Sequence, residues 1–127
     1  MTATAIKRRV ALAHADANRN HAWFNCWGAT LYILGGHRRR VWFEVQEMQH
    51  WLDMNTEQIH GPRKVGDIVC VHTYELQHTA VYLGKGKYFH KMGSNRAEVT
   101  DLAGIRNEYS GRYTWRRVKE QLLTPKL

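Results

Sequence analysis

The chain has 127 residues, a net charge of +8 and 43% hydrophobic side chains, among them five Trp and six Tyr. That length supports one core rather than two, so a single domain over residues 1–127 is expected. Two cysteines exclude the disulfide framework of a small secreted scaffold, and no apolar run reaches membrane-spanning length.

Residues 5–20 suit a first helix, with Ile6, Val10 and Ala13 on one side and Asn18–Asn20 breaking it. The apolar run after Arg9 is only Val-Ala-Leu-Ala, too short for a signal-peptide core. Synthesis in the cytoplasm is expected, with any export depending on a phage-type or secretion-system route, or on lysis. Asn25 is a good N-cap for the next helix, in which Trp27, Leu31 and Leu34 recur at helical spacing. The pair Gly35-Gly36 ends it. His37-Arg-Arg-Arg40 reads as a solvated loop. A second core-facing helix covers Val45 to Asn55, with Val45, Met48 and Leu52 as its inner stripe, and Gly61-Pro62 marks a turn.

The hydrophobic period then changes. Strands are expected at Asp67–Thr73, His78–Leu83, Lys87–Met92 and Tyr113–Val118, the last an edge strand whose charges discourage further pairing. Helices followed by an antiparallel meander define an α+β fold, with the helices packed on one side of a small sheet. Cys70, inside Ile68-Val-Cys-Val71, reads as a small core residue.

The loop Gly84-Lys-Gly86 decides where two histidines point. If all three residues form it, Leu83 faces Lys87, His90 lies opposite Ala80, and His78 lies opposite Met92. Both histidines then share one face as diagonal neighbours. A two-residue loop such as Gly84-Lys85 sends them to opposite faces. Gly86 supplies the left-handed residue that a three-residue hairpin wants at its third position, which favours the paired arrangement.

Cys26 stands where a helix start exposes unpaired N–H groups and partial positive charge, a setting that favours thiolate. A thiol, a base and a group that orients the base make a nucleophilic site, and Cys26, His78 and His90 supply those types.

Four blocks carry a resemblance: Asn25-Cys-Trp-Gly28, Val65-Gly-Asp-Ile-Val69, His78-Thr-Ala-Val-Tyr-Leu-Gly84 and Tyr88-Phe-His90. They resemble the NlpC family of papain-like cysteine peptidases, and more narrowly its phage-tail and cell-wall-hydrolase branch. The resemblance spans roughly residues 22–92 and implies a papain-like fold in which Cys26 is the nucleophile, His78 the general base and His90 the residue orienting it. It implies cleavage of amide bonds in peptidoglycan stem peptides, commonly next to D-glutamate and diaminopimelate, without metal or cofactor. A phage or secretion assembly is the implied carrier to the wall, and no membrane partner is implied.

The chain departs from the family pattern at three places. Asn25 replaces Asp, which keeps the helix cap and removes a negative charge beside the thiol. The family's upstream Tyr is missing, leaving His14 or His21 as occupants of that space, and Ala80 replaces a glycine. Asp67 matches a family position but reads as structural, capping the turn after Gly66.

Other chemistries compete. Eight histidines raise the question of a metal, yet neither Cys-x-x-Cys nor His-Glu-x-x-His spacing occurs. The charge suits nucleic acid, the anionic bacterial wall or an acidic peptide, and does not choose among them. Basic clusters at 37–40, Arg63-Lys64 and Arg116-Arg117, with Trp42 and Trp115 nearby, form the nucleic-acid alternative, against which stands their reading as solvated loops. A papain-like acyltransferase or a non-catalytic binding module is the third possibility. Acyltransferase relatives with an Asn-Cys block carry the His before the Cys, whereas His78 follows Cys26, the peptidase order.

Overall fold

The computed structural model describes residues 2–17, 24–37, 41–92 and 96–119. Its elements in chain order are α1 (Ala3–Ala17), α2 (Cys26–Ile33), α3 (Val45–Asn55), β1 (Thr56–Ile59), β2 (Ile68–His72) and β3 (Leu76–Gly84). Then come β4 (Lys87–Lys91), β5 (Ala97–Thr100), α4 (Leu102–Glu108) and β6 (Arg112–Val118). The described part of the first helix ends at Ala17, and Asn18–Asn20, expected to break it, lie outside the described residues.

The strands form one antiparallel sheet in the order β1-β6-β2-β3-β4-β5. One face carries Ile68, Cys70, Val81 and Phe89, which meet Ile6 and Ala13 of α1, Leu31 and Ile33 of α2, and Met48 and Leu52 of α3. Met48 and Leu52 are fully buried, and each such side chain contributes roughly 2 kcal/mol through its removal from water. The other face carries Val69, Val71, Ala80 and Tyr88 beneath Ile105 of α4, with Tyr109, Tyr113 and Trp115 packed around them.

The α+β class holds, with two corrections. Helices cover both faces, because α4 starts where Asp101 accepts a hydrogen bond from the Gly104 N–H at 2.9 Å and lays Ile105 on the second face. The last strand is interior rather than an edge, since β1 pairs with it along Thr56↔Val118 to Ile59↔Trp115. No turn residue separates β1 from α3, so nothing in the local pattern announces it. The Thr56 hydroxyl donates to the Leu52 carbonyl at 2.6 Å, ending the helix as the strand begins.

The β3–β4 hairpin reaches the expected register by another route. Lys85 (φ 53°) and Gly86 (φ 75°) form a two-residue turn closed by Gly84↔Lys87. Positive φ at both central residues matches the twist of the flanking strands. A bulge between Tyr82 and Gly84 then inserts Leu83, so Tyr82↔Tyr88 and Val81↔Phe89 pair as a three-residue loop would have paired them. The turn is shorter than expected and the bulge restores the face. No described helix is long and apolar enough to cross a membrane.

Candidate active site

Cys26 is the first residue of α2, and the Asn-Cys-Trp-Gly block is a device for anchoring that helix end. Asn25 Oδ1 accepts from the Gly28 N–H at 3.0 Å, which caps the helix. The same amide clasps the Phe43 backbone, donating from Nδ2 to the carbonyl at 2.7 Å and accepting from the N–H at 3.2 Å. Gly28 lies so close to the Val41 carbonyl that a Cβ there would sit 1.6 Å from its oxygen. The Thr30 hydroxyl donates to the Cys26 carbonyl at 2.9 Å, so it accepts from Thr79 across the 2.8 Å contact that ties α2 to β3.

His78 and His90 come together as the sequence suggested. Strand pairing of Val71 with His78 places that ring on the second face. One extra residue on β3, between the pairs Val71↔His78 and His72↔Leu76, bulges the strand immediately before His78. His78 Nε2 lies 2.8 Å from His90 Nδ1, and His90 Nε2 lies 3.0 Å from Glu98 Oε1 on β5. Both imidazoles are buried, at 1% exposure each. Tyr109, just past α4, stacks on His78 with ring centroids 3.8 Å apart and planes 7° from parallel.

The remaining ring nitrogen, His78 Nδ1, is buried and has no hydrogen-bond partner among the described residues. Cys26 opens α2, which packs on the first face, and is held by the Thr79 backbone, one residue from His78. No hydrogen bond between the sulfur and either imidazole is present among the described residues. Tyr109 is their common neighbour: it stacks on His78, and its phenol is pushed up to about 12, first by burial, then by the charges of Cys26 and Glu108.

Burial overturns the charge state expected from the helix start. It pushes the Cys26 thiol up to about 12, outweighing the lowering by the Thr79, Trp27 and Cys26 backbones and by Lys91. Burial, then the neighbouring His90, pulls His78 down to about 3. The resting pair is therefore a neutral thiol and a neutral imidazole, because two charges in so dry a site cost more than the helix end returns. Lys91, buried on β4, is lowered by burial and raised by Cys26.

The other singled-out residues take structural places. Cys70 is fully buried in the first-face core. Asp67, 1% exposed, accepts from the Lys64 N–H at 2.7 Å and from Arg117 through two bonds of 2.8 Å. Arg116 donates to the Thr56 hydroxyl and carbonyl, and Arg63 sits 4.2 Å over the Trp115 ring. Much of the basic surface considered for nucleic acid is thus engaged within the molecule, while positions 38–40 lie outside the described residues. His14 lies on α1 with its ring 6.2 Å from that of Phe89, and His21 is outside the described residues. Among the described residues no cluster of three or more His, Cys, Asp or Glu is placed to hold a metal ion.

Glu98 and Tyr109 were not anticipated. Glu98 occupies an alternate position in the four-residue strand Ala-Glu-Val-Thr, whose pairing with β4 sets it opposite His90. That short strand was the one available signal. Tyr109 had none, because only the packing of α4 brings it to His78.

A helix-borne cysteine beside a sheet that carries paired imidazoles is the layout of a papain-like thiol-hydrolase domain. The model of the NlpC/P60 family matches residues 15–119, and the chain belongs to that family. Its members are generally cysteine peptidases, a class tied to the cell wall. No curated protein matches the chain.

Proposed function

We propose that this protein is a cysteine peptidase or amidase that hydrolyses amide bonds in peptidoglycan stem peptides through Cys26, His78 and His90. The observation that carries the reading is the imidazole pair, aligned at 2.8 Å and leaving His78 Nδ1 buried without a partner among the described residues. A bare imidazole lone pair is the kind of atom that takes a proton in general-base catalysis. Membership of the NlpC/P60 family supports the same chemistry and the wall as its place.

In this mechanism the thiol proton moves to His78 Nδ1 as the sulfur attacks the peptide carbonyl, because the resting pair is neutral. The Cys26 N–H, at the positive end of α2, stabilises the oxyanion. The protonated His78 then gives its proton to the leaving amine, and water hydrolyses the thioester. His90 holds the His78 ring in the required orientation and tautomer. The +8 charge supports approach to an anionic wall. Likeness of the four sequence blocks, taken together, to the phage-tail and cell-wall-hydrolase branch supports delivery by a phage or secretion assembly.

Cys26→Ala and His78→Ala, assayed on purified peptidoglycan and on synthetic stem peptides, test the proposal. Each is expected to lower turnover roughly a thousandfold or more. Retention of wild-type cleavage by both variants overturns it.

A further inference from the structure

We propose that Glu98 is a positioning residue for this site: by accepting from His90 Nε2–H, it orders the protons along His90 and His78 and leaves His78 Nδ1 as the free basic nitrogen. The proposal rests on the reading of His78 as the general base and adds a fourth member to the set.

A carboxylate only accepts hydrogen bonds, so the 3.0 Å contact with Glu98 Oε1 requires the proton on His90 Nε2. A neutral imidazole carries one N–H, so His90 Nδ1 is then an acceptor. The 2.8 Å contact between the rings in turn requires the proton on His78 Nε2. That leaves the lone pair of His78 on Nδ1, the atom with no partner among the described residues.

The reverse order fails at both ends. With N–H on His90 Nδ1, its Nε2 lone pair would face a carboxylate oxygen at 3.0 Å with no proton between them. His78 would carry N–H on Nδ1, a buried donor with nothing among the described residues to receive it. Of the two neutral orders, only the first places a proton in both contacts, and it is the order that leaves the His78 lone pair on Nδ1.

The fold holds this anchor in place through backbone pairing. Glu98 and His90 face each other across the β4–β5 ladder, so their side chains stand on one face at the closest cross-strand spacing. The Glu98 side chain is 45% exposed while that of His90 is fully buried. The carboxylate therefore stays solvated as it grips a ring that is not. When His78 takes the thiol proton on Nδ1, positive charge appears one ring away from that carboxylate, which stabilises it.

Heteronuclear NMR of the imidazole nitrogens in the full chain tests the proton order directly. The wild-type protein is expected to show both rings protonated on Nε2, with bare Nδ1 atoms. Glu98→Leu removes the acceptor and should introduce the Nδ1–H form at His78 and His90. Glu98→Gln keeps an acceptor oxygen and should restore the wild-type order. On a synthetic stem peptide, Glu98→Leu should lower kcat roughly tenfold with KM unchanged, the size of effect expected from losing one partly solvated hydrogen bond that orients the imidazole pair. Glu98→Gln should recover more of kcat than Glu98→Leu retains. Should Glu98→Leu disturb the amide spectrum of the sheet, Glu98→Ala carries the same test.

A wild-type His78 protonated on Nδ1, or a Glu98→Leu or Glu98→Ala variant with the wild-type proton order and kcat, overturns the proposal. Failure of the hydrolase reading shows separately, as stem-peptide cleavage that survives Cys26→Ala. The nitrogen spectra still judge Glu98 in that case.

Discussion

Asn25 grips Phe43 with both ends of one amide, its Nδ2 on the carbonyl and its Oδ1 on the N–H. This explains why Asn stands where an Asp would serve equally well as a cap. A carboxylate has no proton for the Phe43 carbonyl and would face that oxygen at a site 4% exposed. The loss, about 1–3 kcal/mol for an unsatisfied buried contact, exceeds the 0.3–1 kcal/mol that a negative charge gains at a helix start. Asn25→Asp is therefore expected to lower stability by about 2 kcal/mol in urea denaturation. A variant as stable as the wild type contradicts the double grip.

Asp67 and Arg117 predict an asymmetry. Asp67 is nearly inaccessible, whereas the Arg117 side chain is 30% exposed and can turn to water once its partner is gone. Arg117→Met strands a buried carboxylate that keeps, among the described residues, only the Lys64 N–H, and should cost ~3 kcal/mol. Asp67→Asn should cost less. Chemical denaturation of the two variants decides the order, and equal or reversed losses refute the argument.

Tyr109 keeps water from the site. Burial is the first cause of both the raised Cys26 and the lowered His78; the Tyr109 ring supplies part of the cover over His78, and its phenol feels the charge of Cys26. Tyr109→Ala should bring both groups back toward their ordinary values. Alkylation of Cys26 at neutral pH should then run severalfold faster than in the wild type, whose thiol should react more slowly than free cysteine. Stem-peptide hydrolysis should fall, because the His78 ring loses the surface that sets its plane. An unchanged alkylation rate counts against this role.

Acid should destabilise the protein through His78. Its folded value, about 3, lies below the ordinary 6.5, so the unfolded chain binds a proton in that window and the native chain does not. The stability is present above 6.5 and is lost as pH falls toward 3, by at most about 1.4 kcal/mol per pH unit. His78→Gln should flatten the dependence of the urea midpoint between pH 7 and pH 5. A variant that keeps the full wild-type slope locates the acid sensitivity elsewhere.

Legibility of the fold followed the range of the interactions. The Asn25 cap, α3 and the register of the β3–β4 pair rest on residues a few positions apart, and all could be read from the chain. The turn inside that hairpin was misjudged by one residue, because a bulge at Leu83 offsets a shorter loop and the two errors cancel. β1 and β5 were missed because four-residue strands carry little pattern of their own and are stable only against β6 and β4.

The linear order of residues determined that a cysteine opens a capped helix, that two histidines lie on facing strands, and that those histidines share a face. Each depends on local backbone geometry, which neighbouring side chains dictate. Tertiary structure alone decided that Glu98 faces His90, that Tyr109 covers His78, and that the thiol and imidazole rest neutral. The first two follow from which strands and helices meet. The last follows from water exclusion, which no short stretch of chain controls.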